Sequence, residues 1–520
     1  MDLDRTLEKI DKIKKFYMRG QYDMALSLLN RSVQRGAFDE DEMWVVLDCY
    51  SRIYYKSGDV GRAVSYGWRS LQATEGQPFR IQQWHYSDFL FMLHYLPQVT
   101  DAQMRNYHFL YDQFAPLEDQ CGHSRARHRH ERLRIGYLAN TFCAGVITAF
   151  SWQMLIGYDR SRYEVYCYSL EDPGADPTVA VIRSQVKKMR CYLWGQMKAR
   201  IVRDIYEDEI DILVDLNVHA TGGCTAAVMC HRPAPVQVAG IGYMATSGTK
   251  AIDYFIGDRY CDPPEADGDF QEKLLRLRSH FCYTPSERAQ YVRYDYEVGS
   301  HIRFATFNNC LKINEEVAAA WAEILRRVPG STLLVKNSTK KDYVQRDRYQ
   351  MLLRAGIPAE RIILEGCTKD YLQRYTDVDI HLDTFPYVGG ATTANSLLMG
   401  VPVITRYGQR HGTRFGYSML MNVGLGELAA QDTAGYIERA VALAEDKELL
   451  RLLHAQLPHR MRQSPLMDSK GYMRELEGCY ERIWQQWLAQ PKEPARFPSF
   501  HGALHGALEE GKDAVAENRW

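Results

Sequence analysis

The segment Asp379-Ile380-His381-Leu382-Asp383-Thr384-Phe385-Pro386-Tyr387-Val388-Gly389-Gly390-Ala391-Thr392-Thr393-Ala394-Asn395-Ser396-Leu397-Leu398-Met399-Gly400-Val401-Pro402 reads as strand, glycine turn, helix and the approach to another strand. A short apolar run ends in a turn holding Pro386, Gly389 and Gly390. An apolar stretch of helical character follows and stops at Gly400. In an open α/β sheet this order puts a helix N-terminus at the carboxyl edge of the strands, where ligands bind. The free N–H groups of a first helical turn, with the positive end of the dipole, form an anion site. Gly389 and Gly390 allow a phosphate close to the backbone, and Thr392 and Thr393 add hydroxyl donors.

The same alternation extends to both sides. Strands are expected at Ile302–Thr306, Thr332–Lys336, Ile362–Leu364, Ile380–Leu382 and Val401–Ile404, with helices near 315–328, 340–355, 369–376 and 392–399. Upstream, Arg134–Leu138, Tyr163–Leu170, Lys188–Leu193, Ile210–Leu216 and Val236–Gly240 read as a separate set of strands. Strands alternating with helices predict parallel sheets. The expected fold class is therefore α/β, with two tandem Rossmann-like domains, residues 132–290 and 291–489. A long helix over about 468–489 closes the second, with Tyr472, Leu476, Cys479, Tyr480, Ile483, Trp484 and Trp487 on one side.

Residues 1–115 read as helices, because Leu7, Ile10, Ile13, Phe16 and Tyr17 recur at helical spacing. Gly20-Gln21-Tyr22-Asp23-Met24-Ala25 and Gly58-Asp59-Val60-Gly61-Arg62-Ala63 resemble each other, each with Ala five residues after Gly. That suggests an irregular tetratricopeptide-like region, a module suited to binding a partner. Residues 116–131 read as a polar linker. Its cluster His123, Arg125, Arg127, His128, Arg129 and His130 is expected to be solvated, with binding of an acidic partner as the alternative. Residues 490–520 read as a mobile tail.

Composition excludes several classes. The 520 residues exceed what one small domain needs. Charge is balanced, 64 Lys and Arg against 65 Asp and Glu, which argues against a nucleic-acid binder. The 12 cysteines are scattered without any CxxC pair, fitting a reducing compartment better than a disulfide framework or zinc site. The charged start Met1-Asp2-Leu3-Asp4-Arg5 is unlike a signal peptide, and no apolar run reaches membrane-spanning length. A cytoplasmic protein with no membrane span is expected.

Two such domains facing each other suit transfer of a sugar from a nucleotide. Without a metal, the departing diphosphate must be neutralised by a helix N-terminus and by cationic side chains. Lys312 is the leading cation, at the end of the first strand of the second domain, with Asn314 placed to cap the helix after it. Lys369 is a second, and Tyr371 is placed to stack on a base. Asp377-Val378-Asp379 has the DxD form of some metal-dependent transferases but runs straight into a buried strand, so no metal site is assigned there.

The residues now quoted, with Arg232-Pro233-Ala234-Pro235-Val236-Gln237, Gly242-Tyr243-Met244-Ala245-Thr246-Ser247-Gly248, Asp253-Tyr254 and Ser464-Pro465-Leu466, make the chain resemble the glycosyltransferase family of O-GlcNAc transferase and the Spindly-type enzymes. The matching stretches run in order over about 132–488. The resemblance implies a GT-B fold and an inverting, metal-independent transfer from a UDP-sugar, most simply UDP-GlcNAc, to Ser or Thr of a protein. No cofactor is implied beyond the donor. The acceptor would be held partly by the helical region, and a homo-oligomer is left open. By the same resemblance, Lys312 stabilises the diphosphate. Asn309, Lys369, Tyr371, Gly389, Gly390, Thr392, Thr393 and Asn395 face the donor. His219 lies near the sugar as a catalytic candidate, and Gly242 and Tyr243 face donor and acceptor.

Two departures keep alternatives open. Asn395 stands where Asp or Glu is usual, and Thr141–Ala149 lacks the histidines typical of the family. The general base would then be His219, Asp215 or a donor phosphate oxygen. Otherwise the chain is a non-catalytic binding or chaperone subunit of an active transferase, or an N-glucosyltransferase acting on Asn.

Overall fold

The computed structural model describes residues 3–114, 120–192, 198–220, 224–285, 296–337, 342–368 and 371–490. The first sheet contains β1 (Leu133–Ala139), β2 (Tyr163–Ser169), β3 (Lys188–Cys191), β4 (Ile212–Asp215), β5 (Val236–Ala239), β6 (Tyr254–Asp258) and β7 (Lys273–Leu277), in the order β3-β2-β1-β4-β5-β6-β7. The second contains β8 (Arg303–Thr306), β9 (Thr332–Lys336), β10 (Ile362–Glu365), β11 (Ile380–Leu382), β12 (Val403–Arg406) and β13 (Ala429–Ala430), in the order β10-β9-β8-β11-β12-β13. All pairings are parallel, for example Ile135 with Ile212 and Ile380 with Phe304. The strands are buried on both faces, as in Ile212-Leu213-Val214, which is why they read as continuous apolar runs.

Both orders reverse at the first strand of their set, between β1 and β4 and between β8 and β11. A crevice opens at the carboxyl ends of the strands at such a point. These are two doubly wound Rossmann-like domains in tandem, as the sequence predicts. The structure adds β6, β7 and β13, and the helices Phe415–Asn422, Thr433–Glu445 and Lys447–Gln463. Two of those helices carry an aspartate cap, Asp432 on Gly435 N and Asp446 on Leu449 N.

Among the described residues, six α-helices precede the sheets: Leu3–Met18, Tyr22–Gln34, Met43–Ser57, Val60–Gln72, Phe79–Leu93 and Asp101–Phe109. The two similar segments occupy equivalent places. Gly20 and Gly58 follow the end of a helix with φ of 76° and 104°, values that favour glycine. Ala25 and Ala63 are fully buried where paired helices cross. This region touches both domains: Arg348 donates to Gly58 O at 2.6 Å, and Arg105 pairs with Asp269 at 3.1 Å.

Residues 120–131 are not a solvated strip. His123 hydrogen-bonds Arg232 O at 2.8 Å, and His128 and His130 each lie 3.0 Å from Asp211. Histidine rings can turn inward where acceptors await them, so the charge pattern of the segment misled the reading. The helix Ser469–Ala489 packs on the first domain, although it follows the second in sequence. Glu477 Oε1 accepts from Asp159 N at 2.9 Å, and the hydroxyls of Tyr480 and Tyr137 meet at 3.2 Å. The tail read over 490–520 lies, beyond Gln490, outside the described residues. Among the described residues, no helix is long and apolar enough to cross a membrane, and the cysteines are free thiols.

Candidate functional site

The glycine turn leaves β11 at Asp383, which is fully buried and organises the site. Its Oδ1 accepts from Gly389 N at 2.7 Å, Thr384 N at 2.9 Å and Asn308 Nδ2 at 2.8 Å; Oδ2 accepts from Thr405 Oγ1 at 2.8 Å. Burial raises its pKa, against these bonds and the nearby Lys312 charge. Asn308 completes the brace, because its Oδ1 accepts from Thr392 Oγ1 at 2.6 Å. One carboxylate and one amide thus tie the ends of β8, β11 and β12 to both ends of the turn.

Lys312 ends a short 3₁₀ turn, Cys310–Lys312, after β8. Its Nζ donates to Val388 O at 2.8 Å and lies 3.8 Å from the Tyr387 ring centroid. Burial pushes its pKa down to about 8, partly opposed by Asp383. Asn314 acts as predicted: it caps the helix Glu315–Arg327 through Val317 N at 3.0 Å and donates to Phe385 O at 2.7 Å. Lysine and turn therefore flank the reversal point between β8 and β11.

Gly389 is buried, while Gly390 and Thr392 are partly exposed at the start of the helix Ala391–Leu398. A Cβ on Gly389 would come within 2.6 Å of Thr392 Oγ1 and 2.7 Å of Thr393 Oγ1. Thr393 Oγ1 is buried and has no hydrogen-bond partner. Asn395 bonds Tyr371 OH at 3.4 Å and accepts from the hydroxyl of Tyr283. Tyr371 is 38% exposed, the most open ring at this edge. Asn309 turns inward and caps its own 3₁₀ turn, accepting from Leu311 N at 3.1 Å. Lys369 lies outside the described residues. Asp379 of the DxD sequence is spent on Arg303, at 2.8 Å, and Asp377 on Arg374, at 3.0 Å.

His219 is not gathered with these groups. It lies fully buried between the helical region and the first domain. Its Nε2 hydrogen-bonds Ser247 O at 2.8 Å and its Nδ1 meets Ser87 Oγ at 3.0 Å. Burial, aided by His108, lowers its pKa to about 3. Nε2 must donate to the Ser247 carbonyl and Nδ1 is occupied by the Ser87 hydroxyl, so neither nitrogen of this enclosed ring is open to a substrate, unlike the free base expected. Tyr243 is likewise enclosed, its hydroxyl 2.8 Å from His108 Nε2 and 3.4 Å from His94 Nε2. A side chain on Gly242 would strike Leu216 O at 2.1 Å. These two residues shape the wall of the first domain; the Tyr243 hydroxyl does not reach into the crevice. Asp215 holds the loop after β4 through Asn217 N and Val218 N, both at 2.9 Å, and burial raises its pKa to about 6.

The helical region also reaches the site. The Tyr95 ring meets Tyr387 edge-on, with centroids 4.9 Å apart. His94, Met244, Pro386, Tyr387, Arg410, Gly412 and Thr413 line a crevice with room for about one water-sized sphere. The two domains touch there, Gly412 N donating to Met244 O at 3.0 Å. Sequence reading missed Asn308, Asp383, Tyr387 and Tyr95. An acidic residue ending a buried strand just before a glycine turn was the available signal for Asp383.

The profile described as glycosyl transferase family 41 matches residues 118–285 and 283–476. A Solanum lycopersicum protein named probable UDP-N-acetylglucosamine–peptide N-acetylglucosaminyltransferase SPINDLY is 34% identical over 416 residues, covering 76% of this chain and 44% of that protein. An Arabidopsis thaliana protein with the same enzyme name, SEC, is 28% identical over 368 residues, 68% of this chain and 37% of its own. The chain thus spans less than half the length of these plant relatives. A lysine-to-methionine mutant of Thermobaculum terrenum O-GlcNAc transferase superposes with a TM-score of 0.80 at 29% identity, covering 90% of this chain and 89% of that one.

Proposed function

Because the chain belongs to glycosyl transferase family 41, we propose that it moves a sugar, GlcNAc in the simplest case, from a UDP-linked donor to a Ser or Thr hydroxyl of a protein. The plant relatives are named as probable transferases of N-acetylglucosamine from its UDP form to peptide. The observation that carries the reading is Lys312, whose Nζ points at Val388 O across 2.8 Å, beside the N-terminal turn of the helix Ala391–Leu398. In the proposed reaction the acceptor oxygen attacks the anomeric carbon from the face opposite the diphosphate, so the configuration inverts. The bond from that carbon to the β-phosphate oxygen breaks. The new charge on the diphosphate falls between the lysine and the N–H groups of the turn. Fixed donors of this kind act where charge develops and need no reorganisation. With both His219 nitrogens engaged, the acceptor proton passes to a donor phosphate oxygen.

Lys312→Ala is expected to lower turnover about 10²- to 10³-fold, since one such donor is worth about 3 to 4 kcal/mol in the barrier. Radiolabelled UDP-GlcNAc with an acceptor protein reads this directly. Turnover within twofold of wild type would remove Lys312 from the reaction. A second reading, a binding subunit without catalysis, draws on the engaged His219 and on Asn395 in place of an acid. It requires UDP to raise the melting temperature while neither transfer nor donor hydrolysis occurs.

A further inference from the structure

At the amino ends of β1 and β4, His128, His130 and Asp211 bring three ligand atoms within 4.8 Å of one another. His128 and Asp211 are buried, with side chains 1% and 0% exposed, and His130 is 9% exposed. His128 Nδ1 lies 3.0 Å from Asp211 Oδ1, and His130 Nδ1 lies 3.0 Å from both oxygens. Both Nδ1 atoms therefore converge on one carboxylate. The opposite ring nitrogens are held as well: His128 Nε2 meets His123 Nδ1 at 3.1 Å, and His130 Nε2 meets Glu209 Oε2 at 3.1 Å.

Donor accounting makes this arrangement informative. Arg232 O only accepts, so His123 Nε2, 2.8 Å away, carries a hydrogen. Neutral His123 then offers Nδ1 as an acceptor, and His128 must donate to it from Nε2. Glu209 similarly asks His130 for a donor at Nε2. In the neutral tautomers so fixed, both Nδ1 lone pairs face the Asp211 carboxylate. Something positive must lie among the three groups: either a second proton on each ring or one cation. A ligating histidine typically donates its other N–H to a carboxylate or another acceptor, which orients the ring. Glu209 and His123 stand in those two places. Glu209 is also approached by Arg134 Nη1 at 3.3 Å and Arg127 Nη1 at 3.8 Å. Arg134 N donates to Asp211 Oδ2 at 2.8 Å, so the other oxygen of Asp211 is the freer ligand.

We propose that His128 Nδ1, His130 Nδ1 and an Asp211 oxygen, with a water as fourth ligand, bind one divalent transition ion, Zn²⁺ by ligand type, at a site separate from the transfer cleft. Two imidazoles and one carboxylate suit zinc, whereas Mg²⁺ and Ca²⁺ take oxygen ligands. At metal–ligand distances of about 2.0 to 2.1 Å each imidazole nitrogen needs only a few tenths of an ångström more separation from the Asp211 oxygen than its 3.0 Å. The seven residues of β1 set the site about 20 Å from the cleft end of the sheet. The ion would clamp residues 120–131 to β4 and, through the rings of Trp484 and Trp487 against His128, to the closing helix.

The test uses the full chain without a histidine tag, freed of metal and titrated with Zn²⁺ and with Co²⁺. One equivalent should bind, Co²⁺ should give visible bands of tetrahedral type, and the melting temperature should rise with free Zn²⁺. His130→Asn, at the rim, should still fold, with a metal-free melting temperature lowered by the lost Asp211 and Glu209 contacts, yet lose the bands and the Zn²⁺-induced shift. Glu209→Gln should weaken binding about tenfold, as loss of an outer partner does. Absence of a one-equivalent site in the folded chain would overturn the proposal and leave a doubly protonated histidine pair. So would unchanged Co²⁺ bands in His130→Asn. These readouts do not involve sugar transfer, so failure here leaves the proposed activity untouched, and loss of transfer leaves the metal site untouched.

Discussion

The Lys312 ammonium lies 3.8 Å from the centre of the Tyr387 ring. That ring is itself met edge-on by Tyr95 of the helical region, at 4.9 Å. A buried cation over an aromatic face gains about 1 to 2 kcal/mol. The ring thus keeps the amine charged where desolvation works against it. Tyr387→Leu retains apolar bulk but removes the face. UDP affinity should fall by about fivefold to thirtyfold, the free-energy equivalent of that interaction. Titration calorimetry with UDP checks this, and wild-type affinity would remove the ring from the site.

The depressed pKa of Lys312, about 8, gives a pH dependence with a definite sign. An anion bound beside the amine favours the charged form. UDP binding near pH 8 should therefore take up protons, and affinity should fall as pH rises through 8. Calorimetry in buffers of different ionisation enthalpy counts those protons. Lys312→Arg, charged throughout, should remove both effects if the turn accommodates it. Folding moves the other way. The unfolded lysine titrates near 10.5, so between about 8 and 10.5 the unfolded chain holds more protons and this residue's contribution to stability rises with pH.

Asn308 holds Asp383 and Thr392 at once. Asn308→Ala leaves a fully buried carboxylate one donor short. An unsatisfied buried polar group costs about 1 to 3 kcal/mol, more when charged. The melting temperature should drop by several degrees, and UDP affinity should drop with it, because the same amide fixes the first threonine of the helix. A variant as stable as wild type would show that water replaces the amide and that the brace is not needed.

Much of this was legible from the sequence because alternation carries physical information. Buried parallel strands are continuous apolar runs, and Ile302–Thr306, Thr332–Lys336 and Ile380–Leu382 all appear where those runs lie. The strand Ala429–Ala430 is two residues long and could not announce itself by any period. Lys312 and the glycine turn were readable because both follow strands at the ligand-binding edge. Their mutual orientation was not, since it depends on Asp383 and Asn308, 75 residues apart. His219 was misread for the same reason. A histidine after a strand has one sequence signature whether its nitrogens face a substrate or, as here, Ser87 and Ser247, 132 and 28 residues away. The linker histidines looked solvated because the partners that bury them lie in β4 and its approach.

Gly389 offers the sharpest separation of binding from folding. The turn brings Thr392 Oγ1, Thr393 Oγ1 and Asn308 Oδ1 to 2.6, 2.7 and 3.0 Å of where its Cβ would stand. A methyl group there occupies the space by which an anion would approach the first helical turn, and it forces the threonine hydroxyls aside. Its φ lies outside the left-handed region, so Gly389→Ala carries no backbone penalty of that kind. The threonine hydroxyls can rotate, which limits the cost to folding to about 1 to 2 kcal/mol, at the low end of overpacking. UDP affinity should fall at least about tenfold, or 1.4 kcal/mol, and turnover should fall with it. Thermal unfolding with and without UDP checks both parts in one experiment: the ligand-free transition should fall by a few degrees at most, while the UDP-induced rise should largely vanish. An intact rise would mean that phosphate is held elsewhere than at this turn.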